Sequence, residues 1–114
     1  MDLYSVFFRV LYNATYLSIN HSELALKILG DTKFAEGLRA GVPEHVAIAH
    51  KFGYRRMDGA LRDTPSSQLH DCGIVYYPNK PYFICVMTKG NNINDLKAFI
   101  GEVSEAVYRD VEKN

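Results

Sequence analysis

Eight residues near the middle of the chain limit what the rest can become. Val46-Ala47-Ile48-Ala49-His50-Lys51-Phe52-Gly53 alternates large side chains with small ones. Alternation with a period of two predicts a strand whose two faces differ. Val46, Ile48, His50 and Phe52 share one face, and Ala47, Ala49 and Lys51 share the other. The alanines leave room, and a lysine points into it. Gly53 then allows a close approach of another group, or a bend. A cation at a strand end beside a glycine is a candidate anion or carboxylate site. A solvent-facing lysine at a strand terminus is the plainer alternative.

The segments before this strand read as helices. Leu3, Tyr4, Phe7, Phe8, Val10 and Leu11 give residues 2 to 13 one broad apolar face. A helix from the first residues is an abrupt start and predicts a preceding segment in a longer protein. A second helix is expected with Asn20 as N-cap, Glu23 closing a capping box and Ile19 stapled to Leu24. Leu24, Ala25, Ile28 and Leu29 should be its buried face, Leu26 its margin, and Gly30 its stop. A short helical turn over 32 to 39 follows, and Gly41-Val42-Pro43 breaks the chain before the strand.

After the strand, residues 54 to 70 read as a long polar loop carrying Arg55, Arg56 and Arg62. Residues 72 to 77 and 82 to 88 are rich in β-branched and aromatic side chains and predict two strands. Pro78-Asn79-Lys80-Pro81 would be the turn between them. Tyr77 opposite Tyr82 then sets Cys72 against Met87 and Cys85 against Ile74. The sulfurs become diagonal neighbours roughly 7 Å or more apart, too far for an unstrained disulfide. Ile93, Leu96, Phe99, Ile100, Val103, Val107 and Val111 predict a final helix from 93 to 111, capped by Asn92 with Asp95 at N3. The sum is an α+β chain: a three-stranded antiparallel meander, helices before it and a long helix after it.

Composition narrows the function. At 114 residues the chain holds one domain at most, and 47% hydrophobic residues provide a core. Thirteen basic residues balance thirteen acidic ones, so no electrostatic case exists for nucleic acid. No apolar run approaches the roughly 18 residues of a membrane span, and Asp2 and Arg9 interrupt the apolar stretch that a signal peptide needs. Two cysteines and four histidines lack metal-ligand spacing, so neither metal nor cofactor is expected.

Several stretches resemble the later part of class A-type β-lactamases and related penicillin-recognising serine hydrolases. They are Gly41-Val42-Pro43 with the strand ending Lys51-Phe52-Gly53, then His70 to Pro78, then Pro81 to Thr88. Lys51-Phe52-Gly53 looks like the family's Lys-Thr/Ser-Gly element. The resemblance implies a single partial domain over 1–114 with a partial β-lactamase/transpeptidase-like fold. It implies acyl transfer on β-lactams or D-alanyl peptides, and a place outside the cytoplasm in the cell envelope. Lys51 would stabilise the substrate carboxylate, with Gly53 and Tyr54 lining the cleft as further substrate-binding residues. Phe52 stands where the family has a hydroxyl, and a phenyl ring cannot help hold that carboxylate.

The family's nucleophile lies in Ser-x-x-Lys, and no serine here has lysine three residues on. Ser18-Ile19-Asn20 and Tyr77-Pro78-Asn79 match the family's bridging element only by letters. The first is already explained as a helix start and the second as a turn. The chain alone is therefore expected to be inactive. An edge strand at 82–88 that has lost its family neighbour predicts a homodimer or poor solubility, and the sheet face opposite the last helix should lose its cover. The alternative function is a non-catalytic α+β module that binds an anionic ligand or a protein partner through Lys51 and the arginines of 54 to 70.

Overall fold

The computed structural model describes residues 2–57 and 66–114. Helix α1 spans Asp2–Tyr12 and α2 spans Ile19–Gly30. A 3-10 turn, Gly37–Gly41, leads into strand β1, Ile48–Met57. Strands β2 (Ser66–Val75) and β3 (Tyr82–Gly90) follow, and α3 (Ile93–Lys113) closes the chain. The sheet order is β1-β2-β3 with both pairings antiparallel. This is the expected α+β meander.

Helix α3 lies across one sheet face. Leu96, Ile100 and Tyr108 meet Ile48, Leu69, Val75 and Ile84 there, joined by Leu38, Val42 and Val46 from the connection before β1. The 3-10 turn packs so closely on α3 that a Cβ at Gly41 would sit 2.5 Å from the Glu105 backbone nitrogen. The Ser104 hydroxyl, fully buried, donates to the Leu38 carbonyl at 2.8 Å and ties the same contact. Phe99, expected in the buried stripe, is 53% exposed because the stripe facing the sheet runs through Leu96, Ile100, Ser104 and Tyr108.

The opposite face keeps partial cover, contrary to expectation. Phe8 of α1 is buried against Cys72 and Ile74, with Tyr4, Leu26, Leu29 and Tyr76 around them. Helix α2 starts two residues earlier than its sequence suggests. The Ser18 hydroxyl accepts from the His21 N–H at 3.2 Å, so Ser18 is the N-cap, Asn20 lies inside the helix, and the expected capping box does not form. Its inward side runs through Ser22, Ala25, Leu26 and Leu29, while Leu24 and Ile28 are exposed. Contact with the sheet and α1, not hydrophobicity alone, chose that face.

Two further expectations are corrected. The stretch 54 to 70 is not one loop: residues to Met57 extend β1, and β2 begins at Ser66. Polar side chains suit a hairpin arm exposed to water, and the backbone ladder needs none of them. Residues 58–65, with Arg62, lie outside the described residues.

The β2–β3 register is the second correction. Val75, not Tyr77, pairs with Tyr82, which sets Cys72 directly opposite Cys85. The two form a disulfide with a Cα separation of 4.0 Å. Register shifted because residues 76 and 77 serve other partners. The Tyr76 N–H donates to the Ala47 carbonyl at 3.0 Å, and the Tyr77 ring leans on Tyr108 at 5.3 Å. Asn79 then turns the chain with φ 65°, where asparagine is tolerated.

Candidate functional site

The strand singled out in the sequence is an edge of the sheet. No strand among the described residues pairs with the outer side of β1. Its register with β2 is unbroken from Ile48↔Val75 to Met57↔Ser66. Alternation therefore holds throughout: His50, Phe52 and Tyr54 face α3, while Lys51, Gly53 and Arg55 face the α1 and α2 side.

The inward face is held by a buried pair absent from the expectations. His50 Nδ1 lies 2.9 Å from Asp71 Oδ1, with His50 2% exposed and Asp71 fully buried. Asp71 Oδ2 also accepts from the Leu38 N–H at 2.9 Å. The carboxylate thus joins β1, β2 and the 3-10 turn. Two glycines make room for it. Gly37, at φ +62°, would place a Cβ 2.6 Å from Asp71 Oδ2. Gly73, opposite His50, would place one 2.6 Å from the His50 Cβ. Phe34 stacks on Phe52 at 4.2 Å and closes this side. A carboxylate inside an apolar strand is seldom unpaired, so Asp71 beside Cys72-Gly73 was the signal in the sequence.

Lys51 is exposed, and its amine folds over the strand edge to donate to the Phe52 carbonyl at 2.8 Å. The ammonium also lies 4.9 Å from the Phe52 ring centre, a cation–π contact. Since the Phe52 carbonyl points out of the sheet, the antiparallel pattern aims the N–H and C=O of Tyr54 the same way. Over Gly53 the space is empty: an added Cβ would meet nothing within 4 Å. The Tyr54 side chain goes to the other face, where its hydroxyl lies 3.3 Å from the Ser67 hydroxyl. Lys51 and Gly53 are brought together on one face, then, and Tyr54 joins them only through its backbone.

Two concavities flank the helices on the Lys51 side, and Lys51 lines neither. One, of about 430 Å³, lies between Phe8, Tyr12, Ile74 and Phe83, with Arg9 at its rim. The other, of about 640 Å³, lies between α2 and the start of β1 and is lined by Glu23, Lys27, Asp31, Arg39 and Glu44 among others. Arg39 is committed there: its guanidinium donates to the carbonyls of Val42, Pro43 and Val46 and fixes the approach to β1. Burial pushes the Tyr76 phenol above its ordinary range, with Tyr12 nearby adding to the effect. Among the described residues no group of three or more His, Cys, Asp or Glu side chains could hold a metal ion. No helix of the described residues is long and apolar enough to cross a membrane.

An antiparallel sheet backed by a long closing helix, with a Lys-x-Gly edge strand, is the arrangement that the resemblance of the sequence implied. The family model described as the β-lactamase enzyme family matches residues 4–111, and the chain belongs to that family. Two of the solved structures similar to it illustrate the likeness. One is PBP-A, with 25% identity and a TM-score of 0.72 over 95% of this chain. The other is the PBP-A L158E mutant as an acyl-enzyme complex with penicillin G, with 26% identity and a TM-score of 0.71 over the same share. In both cases this chain spans 38% of the other's length. No curated protein matches.

Proposed function

We propose that this chain is the cation-bearing wall of a β-lactamase-like serine hydrolase cleft, in a protein that performs acyl transfer on β-lactams or D-alanyl peptides. The observation that carries the reading is the family match over 4–111 together with the open edge of β1 at Lys51. In this reading the Lys51 ammonium leaves the Phe52 carbonyl and faces the substrate carboxylate. Gly53 leaves the floor clear, and the outward N–H and C=O of Tyr54 pair with the substrate backbone. The acyl-enzyme that the PBP-A L158E mutant forms with penicillin G supports the reaction class. The nucleophile is not supplied by this chain, since no Ser-x-x-Lys occurs in it. The Cys72–Cys85 disulfide favours an oxidising compartment, in keeping with the cell envelope.

The test is a chromogenic cephalosporin assay with an intact-mass measurement after exposure to penicillin G. The purified chain should give neither turnover nor a mass increase. Turnover that depends on Lys51 and survives chelators would overturn the reading. Inspecting the coding sequence upstream of Met1 separates it from the stand-alone binding module. A Ser-x-x-Lys helix in frame supports the hydrolase, and a stop codon directly upstream supports the module.

β3 is the other edge of the sheet, and Phe83 and Met87 on it are each 39% exposed. A second copy pairing along 82–88 would cover both. Sedimentation that stays monomeric at high protein concentration would rule this pairing out.

A further inference from the structure

Helix α1 carries a stripe that borders the sheet. Ser5, Phe8, Arg9 and Tyr12 recur at spacings of three and four, and Asn13 follows the last turn. Across from them stand Ile74 of β2 and Phe83 of β3, opposite each other in the register. Between the two sides lies the cavity of about 430 Å³, at the β3 margin of the sheet. Lys51 belongs to the other margin, with β2 and the Cys72–Cys85 disulfide between.

Three observations distinguish this cavity. Its volume falls in the range of roughly 300–1,000 Å³ typical of small-molecule sites. Its lining is rich in aromatic rings: Phe8 is buried 5.6 Å from the Phe83 ring, while Phe83 and Tyr12 stay 39% and 48% exposed. Its one charged lining residue is Arg9, and no acidic residue among the described ones lines it. The exposed Arg9 guanidinium makes no ion pair with any described residue.

These features ask for two properties in one ligand. Apolar surface removed from water supplies affinity without direction, and a charged donor supplies direction. A neutral hydrocarbon would leave the guanidinium idle. A bare anion would leave the rings wet.

We infer that this recess binds a small aromatic acid, with its ring system between Phe8, Ile74 and Phe83 and its carboxylate on Arg9. The guanidinium meets a carboxylate through two parallel N–H donors, which a lysine cannot do. Asn13, one turn on from Arg9, offers its amide beside the same group. Ser5 is the small residue of the stripe, so a larger side chain there would occupy the recess. The site stands whether or not the complete protein is a hydrolase, because it uses no nucleophile and none of Lys51, Gly53 and Tyr54.

The experiment is an amide-resolved NMR titration of the full 114-residue chain with three probes. They are 2-naphthoate, its neutral counterpart 2-naphthalenemethanol, and acetate as an anion without a ring. Naphthoate should give saturable shifts at Phe8, Arg9, Asn13, Ile74 and Phe83, the alcohol should bind about tenfold more weakly, and acetate should not saturate. Arg9→Gln should bring naphthoate down to the level of the alcohol and leave the alcohol within about twofold. Ser5→Phe should abolish binding of both, with a dispersed spectrum confirming the fold. Added sodium chloride should weaken naphthoate and spare the alcohol. The proposal fails if naphthoate gives no saturable shifts, or if they centre on the outer helix residues Leu3, Phe7 and Leu24. Equal affinity for acid and alcohol, saturation by acetate, or an unchanged naphthoate Kd in Arg9→Gln would also overturn it. So would a folded Ser5→Phe chain that binds both probes as before.

Discussion

The two faces of the sheet solve opposite problems. The α3 face is sealed by contacts that leave no slack: Gly41 against Glu105, Ser104 on Leu38, and Asp71 shared by His50 and Leu38. The other face is covered over only part of its length, by helices whose outer residues Leu3, Phe7, Leu24 and Ile28 are open to solvent. Stability is concentrated where the helix lies, and chemistry is free to vary where it does not. A strand placed between two such faces has a rigid back and an adaptable front.

The largest break in this contrast should come from Asp71→Ala. It strands a buried His50 and the Leu38 N–H together, and loss of one member of a buried pair costs about 3–5 kcal/mol. Urea denaturation should show it as a lower midpoint with an unchanged slope. A loss under about 1 kcal/mol would mean that the sealed face does not depend on this pair.

Reducing the Cys72–Cys85 disulfide probes the other face, next to Phe8. The sequence separation of 13 residues predicts a loss of about 3 kcal/mol by loop entropy, read from urea curves with and without dithiothreitol. Equal curves would show that the half-covered face needs no staple.

The finest test is Tyr82, whose hydroxyl is buried without a partner beside the α3 core. Desolvation, and then the neighbouring Tyr108, push its phenol up to about 12. The unfolded phenol titrates near 10, so between the two values the unfolded chain loses a proton that the native chain keeps. This contribution is fully present below pH 10 and is lost as pH rises toward 12. Tyr82→Phe should flatten that alkaline loss. At pH 7 it should leave stability equal or raised by up to about 1 kcal/mol, since no hydrogen bond is removed. Tyrosinate absorbance during the pH titration provides the readout.

Periodicity made the order of elements legible, because the alternation of 46 to 53 and the apolar stripe of 93 to 111 are local signals. Register was not legible. It depended on Tyr76 choosing Ala47 and Tyr77 choosing Tyr108, both contacts across distant sequence. The same blindness hid the disulfide, which a two-residue shift creates. Polar residues at 54 to 57 and 66 to 70 read as loop because composition reports exposure, and an exposed hairpin arm has the composition of a loop. At the candidate site, Lys51 and Gly53 could be picked out from the residue pattern. The company they keep from β2 and β3 required the pairing.

The Cys72–Cys85 bond has one more effect, on how the sheet can grow. A covalent rung across the middle of the β2–β3 ladder forbids these strands from sliding past one another or parting to admit an intruder. Any added strand, from a ligand, a second copy or a companion segment, must join from outside, along β1 or along β3. The two margins are thereby kept separate, and what docks on one leaves the other vacant.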